Sequence, residues 1–304
     1  MNNPPGIRPV KDEIRGHPFR IGLGPPLPAA GTVRTMRIRI VDAFADRPFS
    51  GNPAGVLLLD SFPDDSWLRQ VAAEVNLSET AFAHPLPAGG EADWALRWFT
   101  PTTEVDMCGH ATLATAHVLR TTGAASGPVR FATRSGVLGA APEADGGITM
   151  DFPTSSLTPL PVPDGLLEAL GAEIVAVHGT AAHIGDLVVE LRDEEAVRGL
   201  APDLAALKAH SSRGVIATAR AADPGCGYDF VSRCFFPAID IAEDPVTGSA
   251  HTALAPYWSA RLGRDELTGF QGGARTGLVR TRLRGDRTLL TGHAVTVIDG
   301  ELHA

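Results

Sequence analysis

Apolar and polar positions alternate from Met36 to Phe44, the two-residue period of a half-buried strand. Val56 to Leu59 is short, continuous and apolar, which predicts a buried strand. From Asp64 to Val75 the spacing changes. Trp67, Leu68, Val71, Ala72 and Val75 recur at helical intervals, and Asn76 is a suitable stop. Leu77 to Ala83 and Trp94 to Thr100 read as strands, and Cys108 to Arg120 as a strongly apolar helix opened by Gly109. Val129 to Arg134, Val137 to Ala141 and Ile148 to Phe152 predict a meander, turning at Ser135-Gly136 and Gly146-Gly147. Between the first two strands, Asp46 to Pro53 has the composition of a turn.

Pro153, Pro159, Pro161 and Pro163 then interrupt the chain, the best internal boundary. Beyond them come helices near Leu166 to Leu170 and Glu194 to Ala209. Strands are predicted at Ile174 to Val177, Leu187 to Leu191, Val215 to Thr218 and Tyr228 to Phe235. A helix from Gly248 to Leu262 and a β-rich end from Leu278 to Leu302 complete the pattern. The expected organisation is an appendage over residues 1–35, one domain over 36–155 and a second over 156–304. The appendage carries seven Pro and five Gly and has no period. It reads as a disordered tail or as sequence ahead of a start at Met36.

The two halves share a motif. Arg97-Trp98-Phe99-Thr100-Pro101 matches Arg233-Cys234-Phe235-Phe236-Pro237. Each is followed by an acidic turn, a glycine and a helix: Glu104 to Asp106 then Gly109, and Glu243-Asp244 then Gly248. This order predicts a duplication. Helix N-termini carry unpaired N–H groups and partial positive charge. If the halves face each other, two such ends meet in one cleft and form a socket for a small carboxylate. The plainer alternative is that both glycines only permit close packing.

Composition narrows the chemistry. The 304-residue chain has 24 Arg but only two Lys, Lys11 and Lys208, neither in a motif for a pyridoxal Schiff base or a P-loop. A net charge of −9 disfavours nucleic acid as a partner. No stretch is apolar enough for a membrane span. Cys108, Cys226 and Cys234 are too few and too irregular for a disulfide framework or a zinc site, and a reducing cytoplasm fits them. No cofactor or metal is expected.

Several titratable residues are candidates for the cleft. Glu79 lies in Leu77-Ser78-Glu79-Thr80-Ala81-Phe82-Ala83. Parity leaves open whether it faces the core, as a desolvated general base, or faces water. His110 and Ser249 each follow a motif glycine and either touch a ligand or serve as helix caps. Asp244 is held extended by Pro245 in the turn beneath the second helix. Cys108 is an activated thiol or inert packing.

Asp42-Ala43-Phe44, Phe49-Ser50-Gly51-Asn52-Pro53-Ala54, the Ser78-Glu79-Thr80 strand, and the runs Glu104 to Leu113 and Glu243 to His251 together resemble the PhzF-like phenazine-biosynthesis family. The resemblance runs from Met36 to the C-terminus. It implies a diaminopimelate epimerase-like α+β fold: two similar domains, each a curled mixed or antiparallel sheet around a central helix, with the active site between them. It implies a cofactor-independent isomerase, typically a homodimer, acting on a small carboxylic acid. Glu79 would be the acid/base, with His110 and Asp244 as catalytic companions. Gly109, Gly248, Ser249 and Asn52 would bind substrate. Two departures stand out. Racemases of this superfamily place a cysteine before each helix, whereas here only Cys108 does so. Near the C-terminus, Gln271 to Gly277 lacks the Ser and one Gly of the family pattern. The leading expectation is therefore a proton-moving isomerase. An amino-acid racemase or epimerase, and a non-catalytic binding protein on the same fold, are the alternatives.

Overall fold

The structure is a computed structural model that describes residues 35–182 and 184–304. The expected appendage lies outside the described residues, except for Thr35, which opens the first strand. All the strands join one hydrogen-bonded network that curls around two helices, Gly109–Thr121 and Gly248–Leu262. This is the α+β architecture of two similar halves.

Alternation in the strands builds two layers in each half. In the N-terminal half, Val56, Ala81, Ala83, Leu96 and Trp98 pack on the first central helix through Ala111, Leu113, Ala114 and Val118. Their neighbours in sequence, Leu57, Phe82 and Phe99, face outward and bury Leu68, Val71 and Ala72 of the helix Asp65–Val75. The C-terminal half repeats the plan. Val188, Ile216, Phe230 and Cys234 pack on the second central helix. Leu187, Val189, Val215 and Ala217 face an outer layer containing the short helices Leu166–Leu170, Glu194–Arg198 and Leu204–Leu207. A single helix was expected from Glu194 to Ala209. It is two, because Gly199 and Pro202 lie between them and Asp193 and Asp203 each cap a separate start.

The repeated motif adopts one geometry in both halves. Arg97 Nε and Nη2 donate to Glu104, both at 2.7 Å, and Arg233 makes the same fork with Glu243 at 2.8 and 2.7 Å. Each guanidinium lies 5.0 Å from the ring centroid of the Phe two residues on, Phe99 or Phe235. The fork ties a strand to the acidic turn that launches the helix, so the helix start is placed by side chains as well as backbone.

The end of the chain returns to the beginning. Ala294–His303 pairs antiparallel with Thr35–Ala43, and Arg287–Gly292 pairs with Ile148–Pro153. Strands from both sides of residue 155 thus share ladders. The proline-rich segment is not purely a linker, since Leu157–Leu160 pairs with Ile174–Thr180 as a strand. Pro159 is tolerated at such an edge because a proline there costs no ladder donor.

Candidate active site

The two central helices meet end to end. A Cβ added at Gly109 would lie 3.4 Å from the Gly248 Cα, and one added at Gly248 would lie 3.4 Å from the Gly109 Cα. The two helix starts are therefore within van der Waals reach of each other, and both N-termini open onto one pocket. Glu79, Cys108, Gly109, His110, Arg213, Phe236, Asp244, Thr247, Gly248 and Ser249 line it. The pocket brings together every expected site residue except Asn52.

Layering settles the direction of Glu79. It shares parity with Ala81 and Ala83, which face the first central helix, so its carboxylate points at the start of that helix. Its Oε2 lies 3.3 Å from His110 Nε2. Burial raises the Glu79 pKa from the usual carboxylate range to about 7, the negative charge of Asp244 adds to this, and hydrogen bonds from Ser78 and Cys108 oppose it. Burial holds the His110 pKa down to about 3, so the imidazole is neutral. An ionised Glu79 can only accept, which assigns the ring proton to Nε2. Nδ1 is then an acceptor, 3.5 Å from the Cys108 sulfur. The Cys108 thiol is itself pushed up by burial and by Glu79, and stays protonated.

Asp244 ends the strand Ile241–Asp244. Burial raises its pKa to about 6, against hydrogen bonds from Thr247 and Asn52. Thr247 Oγ1 donates to it at 2.5 Å and Asn52 Nδ2 at 2.8 Å. Asn52 was expected at the substrate. It lies behind the pocket, fully buried. Its two amide hydrogens serve Asp244 Oδ1 and Val246 O, at 2.8 and 2.9 Å, and its Nδ2 also approaches His110 Nδ1 at 3.2 Å. It thus braces both halves of the site. The expected turn at Gly51-Asn52-Pro53 is the start of a strand, Asn52–Leu58, whose parallel register sets Ala54 beside Glu79.

Three contributors had not been singled out. Thr247 caps the second helix at the place where Cys108 caps the first, one residue before the glycine. Aligning the repeat by its glycines would have found it. Gln271 is fully buried, accepts from Thr247 N at 2.9 Å and donates to Asp244 O at 2.9 Å, so it fixes the second helix start. Arg213 comes from the bend just before the strand Gly214–Arg220, carries no local motif, and reaches the pocket only through tertiary structure.

Glu79, Cys108 and His110 offer ligand atoms within 4.8 Å of one another, a set that could hold a soft divalent cation. The same three groups also form the hydrogen-bonded string just described.

Among the described residues no helix is long and apolar enough to cross a membrane.

The profile of the phenazine biosynthesis-like protein family (PhzC-PhzF) matches residues 41–300. An uncharacterized isomerase of Pseudomonas aeruginosa is 51% identical over 264 residues, covering 86% of this chain and 97% of that one. The crystal structure of a phenazine biosynthesis protein of the PhzF family from Enterococcus faecalis superposes with a TM-score of 0.82. It is 38% identical and covers 89% of this chain and 100% of its own. A hydroxyproline epimerase from Agrobacterium vitis, 13% identical with a TM-score of 0.60, covers 89% of this chain and 93% of its own, and shares the fold.

Proposed function

The chain belongs to the phenazine biosynthesis-like protein family, and from that premise we propose that it is an isomerase that moves a proton on a small unsaturated carboxylic acid, with Glu79 as the acid/base. The observation that carries this reading is a buried carboxylate, Glu79, with its pKa pushed up to about 7, in contact with a neutral imidazole at the mouth of two converging helix N-termini. A general base is most effective when its pKa matches the working pH. Two helix starts aimed at one point favour a carboxylate there.

In the proposed step, ionised Glu79 removes a proton from the carbon next to an unsaturated or carbonyl system. The electron pair delocalises into that system, and the proton now on Glu79 returns to a different carbon of the same molecule. His110 Nε2–H donates to Glu79 while it is ionised and so steadies the carboxylate. The abstracted proton stays on Glu79 until it is returned to the second carbon. Asp244, with a pKa near 6, completes the proton inventory of the pocket.

Racemisation by two thiols fits less well, since the position equivalent to Cys108 is Thr247, whose hydroxyl is already committed to Asp244. Cys108→Ala is accordingly expected to keep most of the activity. A loss of a hundredfold or more, the scale of a removed acid/base, would return the chemistry to the thiol.

The binding half of the proposal is tested with benzoate and benzamide as probes. Benzoate is expected to raise the melting temperature and benzamide to leave it unchanged. Each helix start contributes roughly 0.3–1 kcal/mol, and about 2 when partly buried, and binding to the folded state alone appears as stability. Equal stabilisation by acid and amide would contradict the carboxylate socket.

A further inference from the structure

The two helix starts in the pocket are not equipped alike. At the first stands the Glu79–His110 pair. At the second stands Arg213, which the duplication does not explain and which has no counterpart in the first half of the pocket lining. Arg213 Nε and Nη2 donate to Asp186 Oδ1 and Oδ2 at 2.7 and 2.6 Å, and Asp186 is almost wholly buried. The guanidinium lies over the Phe236 ring, 5.0 Å from its centroid. Its orientation is thus fixed on two sides, by a bidentate anion and an aromatic face.

The remaining Nη2 hydrogen goes to Ser249 Oγ at 2.9 Å. A guanidinium only donates, so Ser249 Oγ must accept at this contact. The Ser249 hydroxyl hydrogen is then left for another acceptor, and Ser249 lines the pocket. Arg213 therefore turns Ser249 into a donor toward the pocket and places positive charge behind it. Beside Glu79 and Asp244, an anionic group would otherwise meet net repulsion.

We propose that Arg213 is the positioning residue that gives the pocket its polarity. It anchors the substrate carboxylate at Ser249 and Gly248 on the second helix, so that the reacting carbon is presented to Glu79 and His110 on the first. The substrate class this selects is an acid whose carboxylate is set apart from the proton-bearing carbon, in preference to a neutral or amide analogue. The proposal rests on the proton-transfer reading above.

The test compares the unaltered protein with Arg213→Lys and with the double variant Arg213→Gln/Asp186→Asn. The double variant removes both charges of the buried pair and so avoids leaving Asp186 uncompensated. Benzoate and benzamide affinities are measured by calorimetry. The double variant is expected to bind benzoate about tenfold or more weakly, the scale of a lost charge-assisted hydrogen bond, with benzamide unchanged. Arg213→Lys is expected to fall between, since an ammonium keeps the charge but not the fork. With a turned-over substrate the same variants are expected to raise KM more than they lower kcat. Unchanged benzoate affinity in the double variant overturns the role of Arg213 while leaving the socket standing. Should the double variant fail to fold, Arg213→Lys with benzoate affinity equal to the unaltered protein overturns it as well. An unaltered protein that does not distinguish benzoate from benzamide overturns both this proposal and the reading beneath it.

Discussion

Replacing Glu79 by Gln is expected to lower solvent-proton exchange into a small unsaturated acid by roughly 10²–10⁴-fold, with little change in ligand binding. The amide keeps the shape of the carboxylate and its place beside His110 but cannot take the proton. The measurement is deuterium incorporation in heavy water, for the native protein and for Glu79→Gln, each after chelator treatment. Full exchange by the variant, or loss of native exchange on chelation, would end the hypothesis. The second outcome would instead point to a cation held by Glu79, Cys108 and His110. Native activity is expected to rise with pH through about 7 as Glu79 ionises, and the variant should lose that flank.

The same substitution has an opposite effect on stability. Burial raises the Glu79 pKa from 4.5 to about 7 in the folded state. Its contribution is fully present below the unfolded value and is lost as pH rises through the folded one. At pH 8 the folded protein carries a buried charge that the unfolded chain would solvate, a cost on the order of 3 kcal/mol. Glu79→Gln is therefore expected to be more stable than the native protein at pH 8 and indistinguishable at pH 4. A site residue that weakens the fold while enabling the chemistry is a common arrangement.

How much of this was legible in the sequence follows from the physics of each residue. Gly109 and Gly248 were readable because a repeat exposes them twice, and they face each other across the cleft. The central helices were readable from apolar runs that no strand of that length would have. Glu79 was readable as a candidate but not as a direction, because both faces of its strand are buried and parity alone cannot rank two cores. Asn52 was misplaced for a related reason: Gly-Asn-Pro has turn chemistry, and only the antiparallel pairing with Ala43 of the first strand makes Asn52 the start of a strand. Arg213 gave no local sign, and Gln271 was visible only as the first residue of the run Gln271 to Gly277. Their partners lie 36 and 24 residues away, at Ser249 and Thr247. The return of the last two strands to the N-terminal half was hidden in the same way, since a β-rich end does not name its partner strand.

Asn52 gives the second large expected effect. Asn52→Leu keeps the number and branching of the side-chain heavy atoms but removes both hydrogen bonds that tie Asp244 and Val246 to the N-terminal half. Asp244 would keep Thr247 but lose its other side-chain donor while remaining buried. Removing a hydrogen-bond donor from a buried acceptor costs about 1–3 kcal/mol, and more when the acceptor is charged. The penalty falls on the ionised form, and Asp244 has a pKa of about 6 that losing this donor raises further. Protonation relieves it, so the destabilisation is expected to be large at pH 8 and smaller at pH 5. Urea unfolding of native protein and Asn52→Leu at the two pH values measures this directly. A loss that is equal at both pH values would mean that Asn52 acts through packing alone, and that the two halves are not joined through the Asp244 carboxylate.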